Sequence, residues 1–205
     1  MTRIWLQSLL PGVRRRRRGK SDSKILYLTF DDGPDPAVTP AVLDLLQQFE
    51  ARATFFLIGQ KALMHRALVA DMAARGHLLG NHSFTHPRMT CLPMKEQLLE
   101  VTRTNAALES IDGMSSHPFR PPYGLASLAL LSRLNSAGIR TEYWSIDSKD
   151  FRHDSDASIS LLRGGSIEGG DVVLMHDDHD TVLDILRTCL QLWADAGFKH
   201  STLAG

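Results

Sequence analysis

The sequence predicts an α/β fold, a distorted (β/α) barrel of about seven parallel strands. Short apolar segments rich in β-branched and aromatic residues alternate with segments of helical period along the 205-residue chain. Strands that alternate with helices pair in parallel through right-handed crossovers. So many units in a chain of this length favour a closed or nearly closed barrel. The pattern alone leaves a doubly wound open sheet as the alternative.

The strand pattern, apolar residues bounded by turn-forming residues, appears in seven segments. They cover residues 24–30, 53–58, 77–81, 117–120, 140–146, 171–175 and 198–203. Helical period appears between them, over residues 39–50, 65–76, 94–111, 126–138 and 181–197, with a weaker helical stretch after Asp156. Gly76, Gly138 and Gly197 stand where helices are expected to end, because glycine adopts the left-handed conformation of a helix C-terminus without strain.

The overall charge gives no reason to expect a nucleic-acid partner. The chain has 23 basic and 23 acidic residues, so its formal net charge is zero and no global field attracts a polyanion. Its length and its hydrophobic content of 43% suit one globular domain. We therefore predict a single domain over residues 23–205, preceded by a basic, flexible leader over residues 1–22. A monomer is expected.

Five consecutive arginines, Arg14–Arg18, are the local exception to this charge balance. The run suits a solvated leader, which we favour, or a peripheral contact with anionic lipid headgroups. The apolar residues before it have the wrong length and order for a signal peptide, and no segment is long enough to span a membrane. We expect a cytoplasmic protein with at most peripheral membrane contact. Cys91 and Cys189 are expected to be free thiols.

Unusual polar residues follow five of the predicted strands. In parallel α/β folds the functional groups collect at the carboxyl ends of the strands, so these residues are expected to meet at one edge of the sheet. They are Asp31 and Asp32, His82 and His86, Arg120, Asp147 and Asp150, and His176.

The segment TFDDGPDP, residues 29–36, places two carboxylates side by side after an apolar strand. Like charges this close repel each other, and a bound cation would relieve the repulsion. His82 and His86 have an H-x₃-H spacing that can meet one cation, and with Asp32 they would leave coordination positions open for water and substrate. Asp31 would then stay free to accept a proton. A solvated turn and two surface histidines are the alternatives.

Two further groups could assist such a reaction. The prolines of RPPYG stiffen the segment that carries Arg120 and the Tyr123 backbone, so Arg120 could hold a carboxylate base ionised. His176 could donate a proton near neutral pH if a carboxylate oriented its ring. A solvated surface arginine and a structural histidine are the alternatives. Asp180 suits the N-terminus of the following helix.

Together these motifs resemble the polysaccharide deacetylases, the NodB-homology domain or carbohydrate esterase family 4. TFDDGP, the H-[ST]-x-x-H pattern at residues 82–86, RPPYG, WSIDSKD and VVLMHD occur in the order found in that family, and the resemblance runs from Lys24 to Leu203. It implies a distorted (β/α) barrel and metal-dependent removal of acetyl groups from N-acetylated sugars.

The resemblance also implies a role for each matched position. Asp31 resembles the catalytic base. The family has three ligands of a divalent metal, usually zinc, and the positions that resemble them here are Asp32, His82 and His86.

The remaining matched positions resemble the groups that assist the base and the metal. Arg120 resembles the residue that holds the base, and the Tyr123 backbone amide resembles an oxyanion donor. Asp150 and His176 resemble the pair that supplies the general acid. The residues expected to contact substrate, with Leu174 lining the acetyl pocket, are Pro122, Tyr123, Phe151 and Leu174.

Two positions depart from the common family pattern. Phe151 stands where many members have tryptophan, which alters the wall of the acetyl pocket. Asp178 stands near a position where many members have glycine, which adds negative charge beside the site. Members that act on cell-wall polymers usually carry an export signal or an anchor. Neither is recognised in this sequence, which favours a soluble or lipid-linked N-acetylated sugar over a polymer outside the cell.

The expected function is that of a metal-dependent hydrolase acting on an N-acetylated amino sugar. Candidate substrates are a chitooligosaccharide, a peptidoglycan-type glycan and a lipid-linked glycan. The same fold could instead act on another amide, as deformylases and ring-amide hydrolases do. A non-catalytic module that binds a glycan or a membrane surface is the second alternative.

Overall fold

The structure, a computed structural model, describes residues 12–14, 24–163 and 167–204. Most of the predicted leader, including Arg15–Arg18, lies outside the described residues. The strands are β1 (Val13–Arg14), β2 (Ile25–Asp31), β3 (Ala53–Leu57), β4 (Leu78–Asn81), β5 (Thr141–Glu142), β6 (Ile146–Asp147), β7 (Val172–His176) and β8 (Lys199–His200). The helices are α1 (Thr39–Gln48), α2 (Gly59–Met64), α3 (Arg66–Ala74), α4 (Met94–Asp112), α5 (Leu128–Ser136), α6 (Ser155–Leu162) and α7 (Thr181–Asp195). Short 3₁₀ turns lie at Met89–Cys91, Pro122–Gly124 and Asp150–Arg152.

The strands pair in parallel in the order β4, β3, β2, β7 and β6. Asn81 at the end of β4 forms a parallel bridge with Phe119, and Phe119 forms another with Thr141 at the start of β5. Because β5 and β6 belong to one segment of chain, residues 141–147, the path of pairing returns to its beginning. The predicted distorted (β/α) barrel is therefore confirmed.

Three of the predicted strands are reduced or divided. Segment 198–203 is reduced to β8, which pairs in parallel with the start of β2. Strand 117–120 is reduced to the bridge at Phe119, since the flanking Pro118 and Pro121 have no N–H to donate to a neighbouring strand. Segment 140–146 divides into β5 and β6, because its first part pairs with Phe119 and its second part pairs with β7.

The helices that the sequence predicts are present, and one more is added. Helix α2 was not predicted, because its six residues are too few to show a helical period. Helix α5 begins at Leu128 rather than at Ala126, since the Ser127 side chain accepts a hydrogen bond from the Leu130 N–H and caps the helix. No helix of the described ranges is long and apolar enough to cross a membrane.

Strand β2 shows how the barrel places polar groups in its interior. Side chains alternate between the two faces of a strand, and Leu28 and Phe30 belong to the main hydrophobic cluster together with residues of α1 and α7. Thr29 and Asp31 lie on the opposite face, where both accept hydrogen bonds from Arg120. The outer face of the strand therefore packs against helices, while its inner face leads to the site.

Strand β1 packs part of the predicted leader against the barrel. Val13 and Arg14 pair in parallel with Thr141 and Glu142. Val13 is buried in the second hydrophobic cluster, which also contains Phe119. Residues 12–14 are thus attached to the domain through β5.

Candidate active site

The carboxyl ends of β2, β6 and β7 and the loop after β4 surround a cavity of about 610 Å³. The residues that line this pocket are Asp31, Asp32, His82, His86, Tyr123, Gly124, Trp144, Asp147, Phe151, His153, Leu174, His176, Asp178 and His179. Arg120 and Asp150 are fully buried and reach the pocket through Asp31 and His176. Pro122 is buried in its 3₁₀ turn and does not line the pocket.

Asp31 is held by a fully buried guanidinium. Arg120 Nη1 donates to Asp31 Oδ1 at 2.7 Å and to Thr29 Oγ1 at 2.8 Å. Burial raises the pKa of Asp31, while the charge and the hydrogen bond of Arg120 act against this rise. Asp31 Oδ1 is thus occupied by Arg120, and Asp31 Oδ2 lies on the side of His82, at 3.7 Å from its Nε2.

Arg120 is itself fixed by the opposite side of the barrel. Its Nε donates to the Glu142 carbonyl at 3.3 Å, and its Nη2 lies 3.5 Å from the Tyr143 carbonyl, which it contacts as a donor. Its guanidinium lies over the Phe56 ring, 4.0 Å from the centroid. These contacts leave Arg120 little freedom, so it can fix the position of the Asp31 carboxylate.

Asp32, His82 and His86 form a cluster suited to a cation. Asp32 Oδ1 lies 3.4 Å from His82 Nε2 and 3.1 Å from His86 Nε2. Within the described part of the chain, this buried carboxylate oxygen has no hydrogen-bond partner. The three residues can offer ligand atoms to one metal ion. Imidazole nitrogen and carboxylate oxygen are ordinary ligands of divalent zinc.

His82 has the protonation state that a metal ligand requires. Its Nδ1 lies 2.8 Å from the Arg120 carbonyl oxygen and can only donate to that acceptor. Burial lowers the pKa of His82 to about 3, although the Asp32 charge opposes the shift, so the ring is neutral. Its Nε2 then presents a lone pair to Asp32, and two electron-rich atoms face each other with no proton between them. A cation resolves this contact, and the hydrogen bond at Nδ1 orients the ring for it.

The loop that carries the two histidines is attached to helix α4. The backbone N–H groups of Phe84 and Thr85 both donate to Glu100 Oε2 at 2.8 Å. His86 N–H donates to Ser83 Oγ at 3.1 Å. The H-x₃-H spacing therefore acts through a loop rather than through a helix, because these bonds bring the two rings together with their centroids 5.0 Å apart.

The turn after β2 is closely packed against the residue that follows His176. A Cβ atom at Gly33 would overlap the Asp177 carboxylate. Asp177 is fully buried, and its Oδ2 accepts a hydrogen bond from the Thr39 hydroxyl at 2.6 Å. Burial raises the pKa of Asp177 to about 7, against the effect of the Thr39 hydrogen bond. Gly33 is therefore required for close approach at this turn.

His176 and Asp150 form a hydrogen-bonded pair. His176 Nδ1 lies 2.8 Å from Asp150 Oδ1, and the His176 backbone N–H donates to Asp150 Oδ2 at 2.6 Å. Burial alone would lower the pKa of His176, but the hydrogen bond and the charge of Asp150 raise it to about 9. Burial alone would raise the pKa of Asp150, but the hydrogen bonds and the charge of His176 outweigh burial, so this pKa is lowered. The pair is a protonated imidazole oriented by a buried carboxylate.

Aromatic and apolar side chains form the walls of the pocket. Tyr123 and Phe151 are about half exposed, and Leu174 is buried at its floor. The Tyr123 ring lies 4.8 Å from the His86 ring, and the Phe151 ring meets the His176 ring edge-on at 6.0 Å. Tyr123 has a φ of 59°, an unfavourable left-handed conformation that is common at functional sites.

Sequence reasoning missed part of the pocket lining. The residues it did not identify are Gly124, Trp144, His153 and His179. His179 follows His176 by three residues in HDDHD, a spacing that could have been noticed. The sequence predicts Trp144 as a residue inside a strand. In the structure it lies between β5 and β6, where the strand is interrupted, and it lines the pocket. Asp178, which was identified as a departure, lines the pocket as expected.

The comparisons with known proteins agree with this fold. The family model for polysaccharide deacetylase matches residues 18–141. A chitooligosaccharide deacetylase of Rhizobium leguminosarum bv. trifolii is 38% identical over 157 residues, which cover 77% of this chain and 73% of that protein. The peptidoglycan-N-acetylglucosamine deacetylase PgdA of Listeria monocytogenes is 32% identical over 181 residues, which cover 88% of this chain and only 38% of that protein. This chain thus spans about two fifths of the Listeria protein.

A solved structure of a related enzyme has the same fold as this chain. The family 4 carbohydrate esterase from Streptomyces lividans in complex with acetate superposes with a TM-score of 0.81 at 33% identity, covering 88% of this chain and 93% of that one. The parallel (β/α) barrel of this chain is thus the fold of a family 4 carbohydrate esterase. The chain belongs to the polysaccharide deacetylase family.

Proposed function

We propose that this protein removes the N-acetyl group from an N-acetylated amino sugar by metal-dependent hydrolysis. The observation that carries the proposal is the register of β2 and β7, in which Asp31 and His176 are paired positions on neighbouring strands. A candidate base and a candidate acid therefore stand side by side, next to the Asp32–His82–His86 cluster. Asp31 and His176 both line the same pocket.

The cluster is the proposed site of the metal. A divalent ion held by Asp32, His82 and His86, with zinc as the expected ion, would supply Lewis acidity to a water molecule and to the acetyl carbonyl. The neutral state of His82 and the unpartnered Oδ1 of Asp32 support this assignment.

Asp31 is the proposed general base. It accepts a proton from the attacking water at Oδ2, because Oδ1 is occupied by Arg120. Arg120 orients the carboxylate and stabilises its charged form. Burial raises the pKa of Asp31, and a carboxylate of raised pKa is a stronger base.

His176 is the proposed general acid. The amine that leaves an amide is a poor leaving group unless it receives a proton. His176 holds Nδ1 toward Asp150, so Nε2 is the atom that can donate a proton to the departing nitrogen. The Tyr123 backbone amide is the proposed donor to the oxyanion that forms on the acetyl carbonyl.

The pocket walls support an amino sugar as the substrate. Leu174 offers an apolar floor to an acetyl methyl group, and the half-exposed rings of Tyr123 and Phe151 offer faces to a sugar ring. The named relatives act on chitooligosaccharides and on peptidoglycan, so these glycans are the proposed substrates. A lipid-linked glycan stays a prediction from the sequence. The cytoplasmic location, the monomeric state and the absence of a nucleic-acid partner stay predictions.

Acetate release from chitooligosaccharides and from peptidoglycan fragments tests the proposal. The protein is assayed as purified, after treatment with a chelator, and after Zn²⁺ is returned. We expect release to be lost on chelation and restored by Zn²⁺. Asp31→Asn should lower the rate by about 10²–10⁴-fold, because it removes the base. Asp35→Asn is the matched control, since its retained Oδ1 can still accept from the Ala37 and Val38 N–H groups.

Other outcomes would assign a different activity. Full acetate release by Asp31→Asn would disprove the mechanism. Cleavage of formyl or ring amides without acetate release would favour the alternative amidase. Glycan or vesicle binding without turnover of any amide would favour the non-catalytic module.

A further inference from the structure

The pocket holds a second group of metal-ligating side chains beside the one assigned above. It consists of Asp150, His176 and His179, whose ligand atoms lie within 4.8 Å of one another. Asp150 is fully buried, and the two histidine side chains are largely buried. We refer to these three residues as the second cluster.

His179 is the unexplained member of the second cluster. Among the described residues, neither of its ring nitrogens has a hydrogen-bond partner, although both nitrogens are buried. Its Nε2 lies 3.9 Å from Asp150 Oδ2 and 3.9 Å from Asp178 Oδ1. These separations are too long for hydrogen bonds, and a buried imidazole without partners is costly. A ligand between the ring and the two carboxylates would satisfy it.

Distances indicate which kind of ligand fits and how tightly it would bind. A zinc ion bonds to imidazole nitrogen and carboxylate oxygen at about 2.0–2.2 Å, so two ligands of one ion are at most about 4.4 Å apart. The 3.9 Å separation satisfies this limit, and so does the 2.8 Å separation between His176 Nδ1 and Asp150 Oδ1. In the Asp32 cluster the corresponding separations are 3.1 and 3.4 Å. An ion in the second cluster must also displace the proton of the hydrogen bond between His176 and Asp150, so this cluster should bind its ion more weakly than the Asp32 cluster does.

We propose that Asp150, His176 and His179 form a second, weaker site for a divalent transition metal such as Zn²⁺, and that occupation of this site blocks the proton donor. The ion takes the place of the proton between His176 Nδ1 and Asp150 Oδ1, and that proton passes to solvent. A neutral, metal-bound imidazole holds its remaining N–H too tightly to act as an acid near neutral pH. The blocking effect rests on the proposed function, whereas the binding does not.

Equilibrium dialysis of the full chain against Zn²⁺, followed by elemental analysis, tests the binding. We expect two equivalents in the unmodified protein, the second with a higher dissociation constant. His179→Asn should retain the first equivalent and weaken the second by at least about 10-fold, because one ligand is lost. His65→Asn is the control, since His65 lies between α2 and α3 and belongs to neither cluster. It should bind like the unmodified protein.

Acetate release measured over the same range of Zn²⁺ tests the consequence. Each protein is compared with itself at one equivalent of Zn²⁺ and in excess. Release by the unmodified protein and by His65→Asn should fall as the second equivalent binds, and release by His179→Asn should not fall over that range. A single equivalent in the unmodified protein, or an unchanged second equivalent in His179→Asn, would overturn the site. If no substrate releases acetate, the proposed function fails, yet dialysis still decides the second site.

Discussion

The reactivity of Asp31 depends on one buried neighbour. Arg120 donates to Asp31 and Thr29 on β2 and is itself held by the carbonyl groups of Glu142 and Tyr143. A buried charge without its partner is strongly destabilising. The core therefore tolerates the guanidinium and the carboxylate only as a pair.

Replacement of Arg120 tests this dependence. Arg120→Met should lower the free energy of unfolding by about 3–5 kcal/mol and reduce acetate release, because the buried Asp31 carboxylate loses the guanidinium that pairs with it. The double variant Arg120→Met/Asp31→Asn should recover part of that stability but no activity. Urea unfolding and the acetate assay measure both effects. Equal stability of the two variants would contradict the pairing.

The pH profile tests the His176–Asp150 pair. The general acid must be protonated, and Asp150 raises the pKa of His176 to about 9. We expect kcat/KM to fall as the pH rises through about 9. Asp150→Asn removes the largest of the effects that oppose burial, so this alkaline limb should move to lower pH by at least about one unit. In Asp147→Asn the limb should stay in place, since Asp147 pairs with Lys149.

At the scale of secondary structure, the turn between β2 and α1 has little room for an added side chain. Gly33→Ala should reduce acetate release strongly, because the added Cβ displaces Asp177 or shifts the turn that carries Asp31 and Asp32. Gly138→Ala is the comparison. Its φ is 74° but nothing lies within 4 Å of an added Cβ, so it should cost about 1 kcal/mol of stability and leave release unchanged. Equal loss of activity in both variants would contradict a role for close packing.

Strand ends could be predicted from the sequence, whereas strand pairing could not. Asp31, His82 and His176 were expected at one edge because parallel strands present their carboxyl ends together, and the structure brings them together there. The division of segment 141–147 depends on which strands meet, which has no local signature. The reduction of its neighbour to Phe119 does have one, since Pro118 and Pro121 are visible in the sequence. The burial of Arg120 and the contacts of His179 depend on tertiary packing, as the division of segment 141–147 does.

At the scale of the whole molecule, the start of the described chain supports the site from a distance. Val13 is buried beside β5, whose end supplies the carbonyl groups that hold Arg120. Val13→Ala should lower the free energy of unfolding by about 1–3 kcal/mol, because it leaves a cavity. Leu128→Ala, at an exposed position, should change it by less than about 0.5 kcal/mol. Urea unfolding compares the two, and a Val13 effect no larger than that of Leu128 would contradict the packing of β1.

Arg120 crosses the interior of the barrel, and this limits how the site can be transferred to another protein. Its four oxygen acceptors come from β2 and from the segment around β5, on two sides of the barrel. A graft of the loops alone would carry Asp32, His82 and His86 but would leave behind Asp31 on β2 and the acceptors that hold Arg120. A transplanted site therefore needs a host whose interior already accommodates a positive charge. Barrels that share this interior are the natural recipients.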